Sequence, residues 1–174
     1  DVSSVTNMGL MFNKAKAFNG HVSTWDVSSV TNMDNMFQIC DVFNQDLSTW
    51  DVSSVVGMNG IFYNAKAFNQ DISPWNISSL GHMNYMFGNA KAFNQDLSAW
   101  DISDITSLSE TFWQASAFDV ELCGQSWVDS TLSTTDTFSG AGSNAGIATT
   151  ACTLCAIGKF KNAQDTCETC PEGK

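Results

Sequence analysis

At 174 residues, 43% of them hydrophobic and including 12 Phe and six Trp, the chain has enough apolar material for one or two packed domains and does not read as a disordered tail. Eighteen acidic residues against seven Lys leave a formal charge of −11, which argues against nucleic acid and anionic membranes as partners and keeps cationic partners and metal ions open. No apolar run approaches the ~18 residues of a membrane helix, so no direct membrane span is expected.

The opening residues, Asp1-Val2-Ser3-Ser4-Val5, belong to the middle of a repeat that returns at Asp26 and Asp51. A longer parent chain is therefore expected, with any targeting signal outside this segment. Trp25, Trp50, Trp75 and Trp100 recur every 25 residues, as do Phe12, Phe37, Phe62, Phe87 and Phe112, and Phe18, Phe43, Phe68, Phe93 and Phe118. Met8, Met33, Met58, Met83 and Leu108 keep the same beat, as do Val22, Leu47, Ile72, Leu97 and Leu122. Side-chain size is preserved along each column, which is what stacked equivalent coils require.

Within one coil, Leu47-Ser48-Thr49-Trp50-Asp51-Val52-Ser53-Ser54-Val55 places apolar residues close to the L-x-x-L-x-L-x-x-N frame. Trp50 and Val52 are expected to point inward from a short strand, with Thr49, Asp51 and Ser53 on the outer face of a parallel sheet. Apolar residues three or four apart follow in Val55-Val56-Gly57-Met58-Asn59-Gly60-Ile61-Phe62. That spacing predicts a short helical turn, held by burial because Gly and Asn give it little propensity. Phe68 then returns to the core. The expected fold is a repeat solenoid: a leucine-rich-repeat-like right-handed coil with one short parallel β-strand and one short helical turn per 25 residues.

The recurring F-N-Q-D-[LI]-S-x-W-[DN]-[VI]-S-x-[VIL], joined by M-x-x-M-F, resembles the BspA-like leucine-rich repeats, in the 25-residue variant of secreted and cell-surface proteins. Phe43 to Val55 carries the whole motif, and the resemblance covers residues 1 to about 122. It implies surface display, adhesion or matrix contact and brings no catalytic residues.

A degenerate sixth unit, Trp127 to Phe138, is expected to cap the stack, so the solenoid is placed at 1–138. Residues 139–151, small and polar, read as a flexible linker. A cysteine-rich module is expected at 152–174, where Cys152, Cys155, Cys167 and Cys170 form two C-x-x-C pairs; their spacing fits either a zinc site or two disulfides. The C-x-x-C-x-x-G-x-F and C-x-x-C-P-x-G shapes resemble ephrin-receptor-like, tumour-necrosis-factor-receptor-like and EGF-like modules. That resemblance implies disulfides, Cys152 with Cys167 and Cys155 with Cys170. A Cys123–Cys152 bridge with shifted downstream pairing is the alternative. Cys40 stands in a column of alanines and reads as a small buried thiol.

Candidate chemistry is sparse. Asp26, Asp51, Asn76 and Asp101 form an outward row; the three carboxylates are candidate calcium ligands, against a plain solvated acidic face. Asn19, Asn44, Asn69 and Asn94, with Asp46, Asp71 and Asp96 two residues on, are expected to turn each coil's corner. His21 and His82 fall at unrelated repeat positions. Asn76-Ile77-Ser78 is an N-glycosylation sequon. Trp25, Trp50, Trp75 and Trp100 with Phe37, Phe62, Phe87 and Phe112 are assigned to the core.

No cofactor beyond calcium is implied, and no motif of an enzyme stands out. The expected function is a non-enzymatic extracellular or cell-surface module that binds a protein or glycan. A self-associating filament or coat subunit and a calcium-stabilised surface-binding protein are the alternatives.

Overall fold

The computed structural model describes residues 1–152 and, of the remainder, the backbone of Leu154–Cys155, Lys159–Lys161 and Cys167–Thr169. Residues 25 apart lie over one another through the first five units. Two phenyl columns run through the core, with stacked rings 3.8 Å apart within a unit (Phe62 and Phe68) and 5.8 Å apart between units (Phe62 and Phe87). Equivalent contacts join Phe12, Phe37, Phe62, Phe87 and Phe112 in one column and Phe18, Phe43, Phe68, Phe93 and Phe118 in the other. Met33, Met58, Met83 and Leu108, together with Leu47, Ile72, Leu97 and Leu122, complete this buried core. Matching sizes column by column lets every unit present the same surface to its neighbours.

The local structure differs from the expectation. In place of a helical turn after Val55, the backbone makes consecutive i→i−3 turns: Ile61 N–H donates to Met58 O, Tyr63 to Gly60 O and Ala65 to Phe62 O. The intervening N–H groups donate to the next unit instead, Gly60 to Asn84 O, Phe62 to Met86 O and Asn64 to Gly88 O. Two residues per unit sit in the left-handed region to make this possible: Leu10, Asn35, Gly60, Tyr85 and Glu110 in one column, Lys14, Ile39, Asn64, Asn89 and Gln114 in the other. A left-handed residue every few positions is incompatible with a helix, and Asn and Gly recur there because they adopt it most readily.

The expected strand is also replaced. Leu47 to Trp50 and Val52 to Val55 each close a tight turn, Trp50 N–H to Leu47 O and Val55 N–H to Val52 O. The carboxylates of Asp46 and Asp51 accept from the Ser48 and Ser53 N–H groups at 2.9 and 3.1 Å, competing successfully with a sheet ladder. Trp50, Val52 and Val55 are nonetheless buried, and Thr49 and Asp51 exposed. Parallel pairing appears as isolated bridges, Asn7 with Asn32, Asn32 with Gly57 and His82 with Ser107, in the segment where a helical turn was expected.

Past the fifth unit come β1 (Glu121–Leu122), the helical turn α1 (Gln125–Val128) and β2 (Gly146–Ile147), which pairs in parallel with β1. Segment 139–151, expected as a linker, therefore lies on the preceding unit. Gly142 N–H donates to Phe118 O, Ala148 N–H to Leu122 O and Cys152 N–H to Cys123 O. Phe138 continues the core, its ring 5.4 Å from Phe112 and 6.4 Å from Phe118. In the tail, β3 (Leu154–Cys155), β4 (Lys159–Lys161) and β5 (Cys167–Thr169) form an antiparallel sheet in the order β3-β4-β5. Among the described residues no helix is long and apolar enough to cross a membrane.

Candidate functional site

Most repeated polar side chains are occupied in holding the stack. Each Trp of the third to fifth units sends its indole N–H to a carbonyl of the preceding unit: Trp50 to Val22 O, Trp75 to Leu47 O and Trp100 to Ile72 O, at 2.9–3.2 Å. Trp25, in the second unit, is half-buried. A second ladder runs through the Asn column: the Oδ1 of Asn19, Asn44, Asn69, Asn94 and Asp119 accepts from the N–H of Asn44, Asn69, Asn94, Asp119 and Asn144 in turn. These asparagines join units, whereas a corner-turning role within the unit was expected; that role falls to Asp46, Asp71 and Asp96, which accept from Ser48, Ser73 and Ser98. Asn144, in the presumed linker, is the ladder's last rung, and its position 25 residues after Asp119 was the available signal.

The outward row is made of single turns. Asp26, Asp51 and Asp101 each accept from the N–H and the hydroxyl of the serine two residues on, and Asn76 accepts from Ser78 N–H. The serine hydroxyl, then the serine N–H, hold the three carboxyls below the usual carboxylate range; at Asp26 the neighbouring Asp51 charge acts weakly in the opposite sense. These aspartates thus stand one per unit, and among the described residues no group of three or more His, Cys, Asp or Glu side chains converges on a metal position. Asn76 is exposed, as a sequon asparagine must be to carry a glycan.

The disulfide joins Cys123 to Cys152, with Cα atoms 5.1 Å apart. The pairing of Cys152 with Cys167 implied by the receptor-like resemblance is thereby replaced. Lateral stacking of 144–152 on 119–123 brings these two cysteines together, a proximity that motif spacing in the tail does not contain. The partner expected for Cys155, Cys170, lies outside the described residues. Cys40 is a buried free thiol whose pKa burial pushes up to about 11.

Regularity breaks between the fifth and sixth units, and a groove of about 760 Å³ opens there. Counting from each tryptophan, Asp129 stands in the column of Val27, Val52, Ile77 and Ile102, all buried. A carboxylate cannot enter that apolar layer without a partner. Asp129 instead remains exposed, accepting from the Gln125 side chain at 2.7 Å. Ser126 bridges the gap, donating to Trp100 O and accepting from Ile102 N–H. Gly124 lets this segment cross the fifth unit, since a Cβ there would run into the Ser98 carbonyl. The groove is lined by the half-buried Leu132 and the edges of the buried Ile102 and Ile105, and by Asp101, Asp129 and several hydroxyls; a hollow of about 190 Å³ shares Leu132 with it. Sequence reasoning missed Asp129, although an acidic residue in an inward column was visible.

No curated protein and no solved structure matches the chain. Residues 1–90 and 49–149 match the family described as "Mycoplasma protein of unknown function, DUF285", and the second match includes most of the segment that the ladder and β2 attach to the stack. With both matches together spanning well over half of its length, the chain belongs to the DUF285 family, a family of BspA-like surface repeats.

Proposed function

We propose that the chain is a leucine-rich-repeat-like solenoid serving as a non-catalytic extracellular or cell-surface binding module. The observation that carries this reading is the groove at the fifth and sixth units: repeated side chains are committed to packing, and there a departure from the repeat leaves carboxylates, hydroxyls and apolar surface facing one concavity. The Cys123–Cys152 disulfide supports an oxidising, extracellular setting. The ligand class is a protein or glycan, engaged on a preformed surface that loses little entropy on binding.

The test is binding of the disulfide-intact chain to arrays of extracellular matrix proteins and glycans, with reduced, unfolded chain as the control. Saturable binding to one class by the folded form alone is expected. Equal capture of folded and unfolded chain, or turnover of ester, peptide or glycoside substrates by the purified protein, would overturn the reading.

A further inference from the structure

Among the described residues, the groove's charged lining is acidic: Asp101 and Asp129 contribute carboxylates, Ser103, Ser126, Ser130 and Thr131 contribute hydroxyls, and no described Lys, Arg or His lines it. Both aspartates are exposed. Each accepts a short hydrogen bond from its own chain, Asp101 from Ser103 and Asp129 from Gln125, which orients the carboxylate while carboxylate oxygens have further lone pairs to offer. Beside them lies Leu132, half-buried at the edge of the buried Ile105, apolar surface of the kind that an aliphatic stem covers well.

Resting on the reading of the chain as a binding module, we propose that this groove binds an extended, lysine- or arginine-bearing segment of a partner protein. The methylene stem lies along Leu132 at the edge of Ile105, and the cationic head is received by the Asp101 and Asp129 carboxylates. The hydroxyls of Ser130 and Thr131, whose O–H groups are not spent on the chain itself as those of Ser103 and Ser126 are, pair with the peptide backbone of the bound segment. The −11 charge of the whole chain draws such a partner in, and the groove supplies the geometry that a uniformly acidic surface lacks. Among the described units this junction provides it, because in the regular units the equivalent of Asp129 is a buried Val or Ile.

The experiment is a fluorescence-anisotropy titration of the disulfide-intact full chain against a labelled peptide of alternating Lys and Thr, beside the same peptide with acetylated lysines. The variant D101S/D129S removes two charges from the groove; serine keeps a turn-capping hydroxyl and creates no new glycosylation sequon. D26S/D51S removes the same charge from the distant part of the acidic row and serves as the control. The expected result is saturable binding, weakened about tenfold in D101S/D129S and by less than about twofold in D26S/D51S, and lost with the acetylated peptide. Equal weakening by both variants would show long-range charge attraction alone and overturn the proposal, as would absence of binding or displacement by a neutral oligosaccharide. Matching thermal unfolding of the two variants excludes misfolding as the cause. Array binding that persists in D101S/D129S would overturn the groove while leaving the broader binding role standing.

Discussion

The Trp127 indole donates to the Leu97 carbonyl at 3.0 Å across 30 residues, whereas Trp50, Trp75 and Trp100 reach their carbonyls across 28. Two extra residues are absorbed in α1, and the same hydrogen bond is made. That bond is thus a constraint that the irregular sixth unit satisfies even where its backbone departs from the repeat. Replacing Trp127 by Phe keeps much of the apolar volume and removes one of the two donors to the Leu97 carbonyl, which still accepts from the Trp100 N–H, so the expected cost is that of one hydrogen bond, about 0.5–1.5 kcal/mol. Urea unfolding of Trp127→Phe beside wild type measures it; an unchanged midpoint would show that the Trp100 N–H alone satisfies the carbonyl.

The Cys123–Cys152 bridge closes a segment of 29 residues, which by loop entropy stabilises the folded chain by about 3–4 kcal/mol. In the double variant Cys123→Ser/Cys152→Ser, amide exchange is expected to accelerate first at Asn144, Gly146 and Ala148, whose N–H groups bond to the fifth unit. Amides such as Phe37 and Phe62 are expected to remain protected. Uniform acceleration along the chain would mean that the sixth unit and the first five open together.

At the left-handed corners, residue type is matched to backbone in some units and not in others. Gly60 has φ +59 and a Cβ there would lie 2.6 Å from the Asn35 side chain, so Gly60→Ala is expected to destabilise by about 1–2 kcal/mol. Ile39 holds the same backbone region at φ 59, where Ile39→Gly relieves about 1 kcal/mol of strain, offset in part by unfolded-state entropy. Opposite signs in the shift of melting temperature are the expected outcome.

The aspartates of the outward row link stability to pH. Asp26, Asp51 and Asp101 are held below the ordinary carboxylate value by serine hydrogen bonds, so their contribution is complete above the unfolded pKa near 4 and is lost as pH falls through the depressed folded values. Exposure to solvent keeps that contribution small. Asn76 makes the same backbone bond without a titrating group. Asp51→Asn is therefore expected to flatten the acid limb of the melting-temperature curve slightly, and a steeper limb would contradict the assignment.

Cys40 is fully enclosed and its thiol is pushed up to about 11. Thiolate is the reactive form, so iodoacetamide at pH 8 is expected to leave Cys40 unmodified in the native chain and to label it on unfolding in denaturant. Rapid native labelling, read by mass spectrometry, would show that the second unit opens readily.

The sequence by itself determined which residues face one another. Columns of Phe, Trp and Met at a constant interval admit few arrangements other than units laid in register, because only identical neighbours conserve size position by position. Burial of Trp50, Val52 and Val55 was legible in the same way. The path of the backbone was not: an apolar spacing of three to four residues suits a helical turn and a run of tight turns alike, and the choice depends on whether alternate N–H groups find carbonyls in the next unit. Likewise, the partner of Cys152 and the attachment of residues 139–152 were decided by contacts across the stack, where Asn144 meets Asp119 and β2 meets β1. The groove required both levels. The carboxylate of Asp129 in an inward column stands in the sequence, but only three-dimensional packing shows that it stays exposed beside a groove between the fifth and sixth units, since an unpaired charge is not admitted to the buried layer.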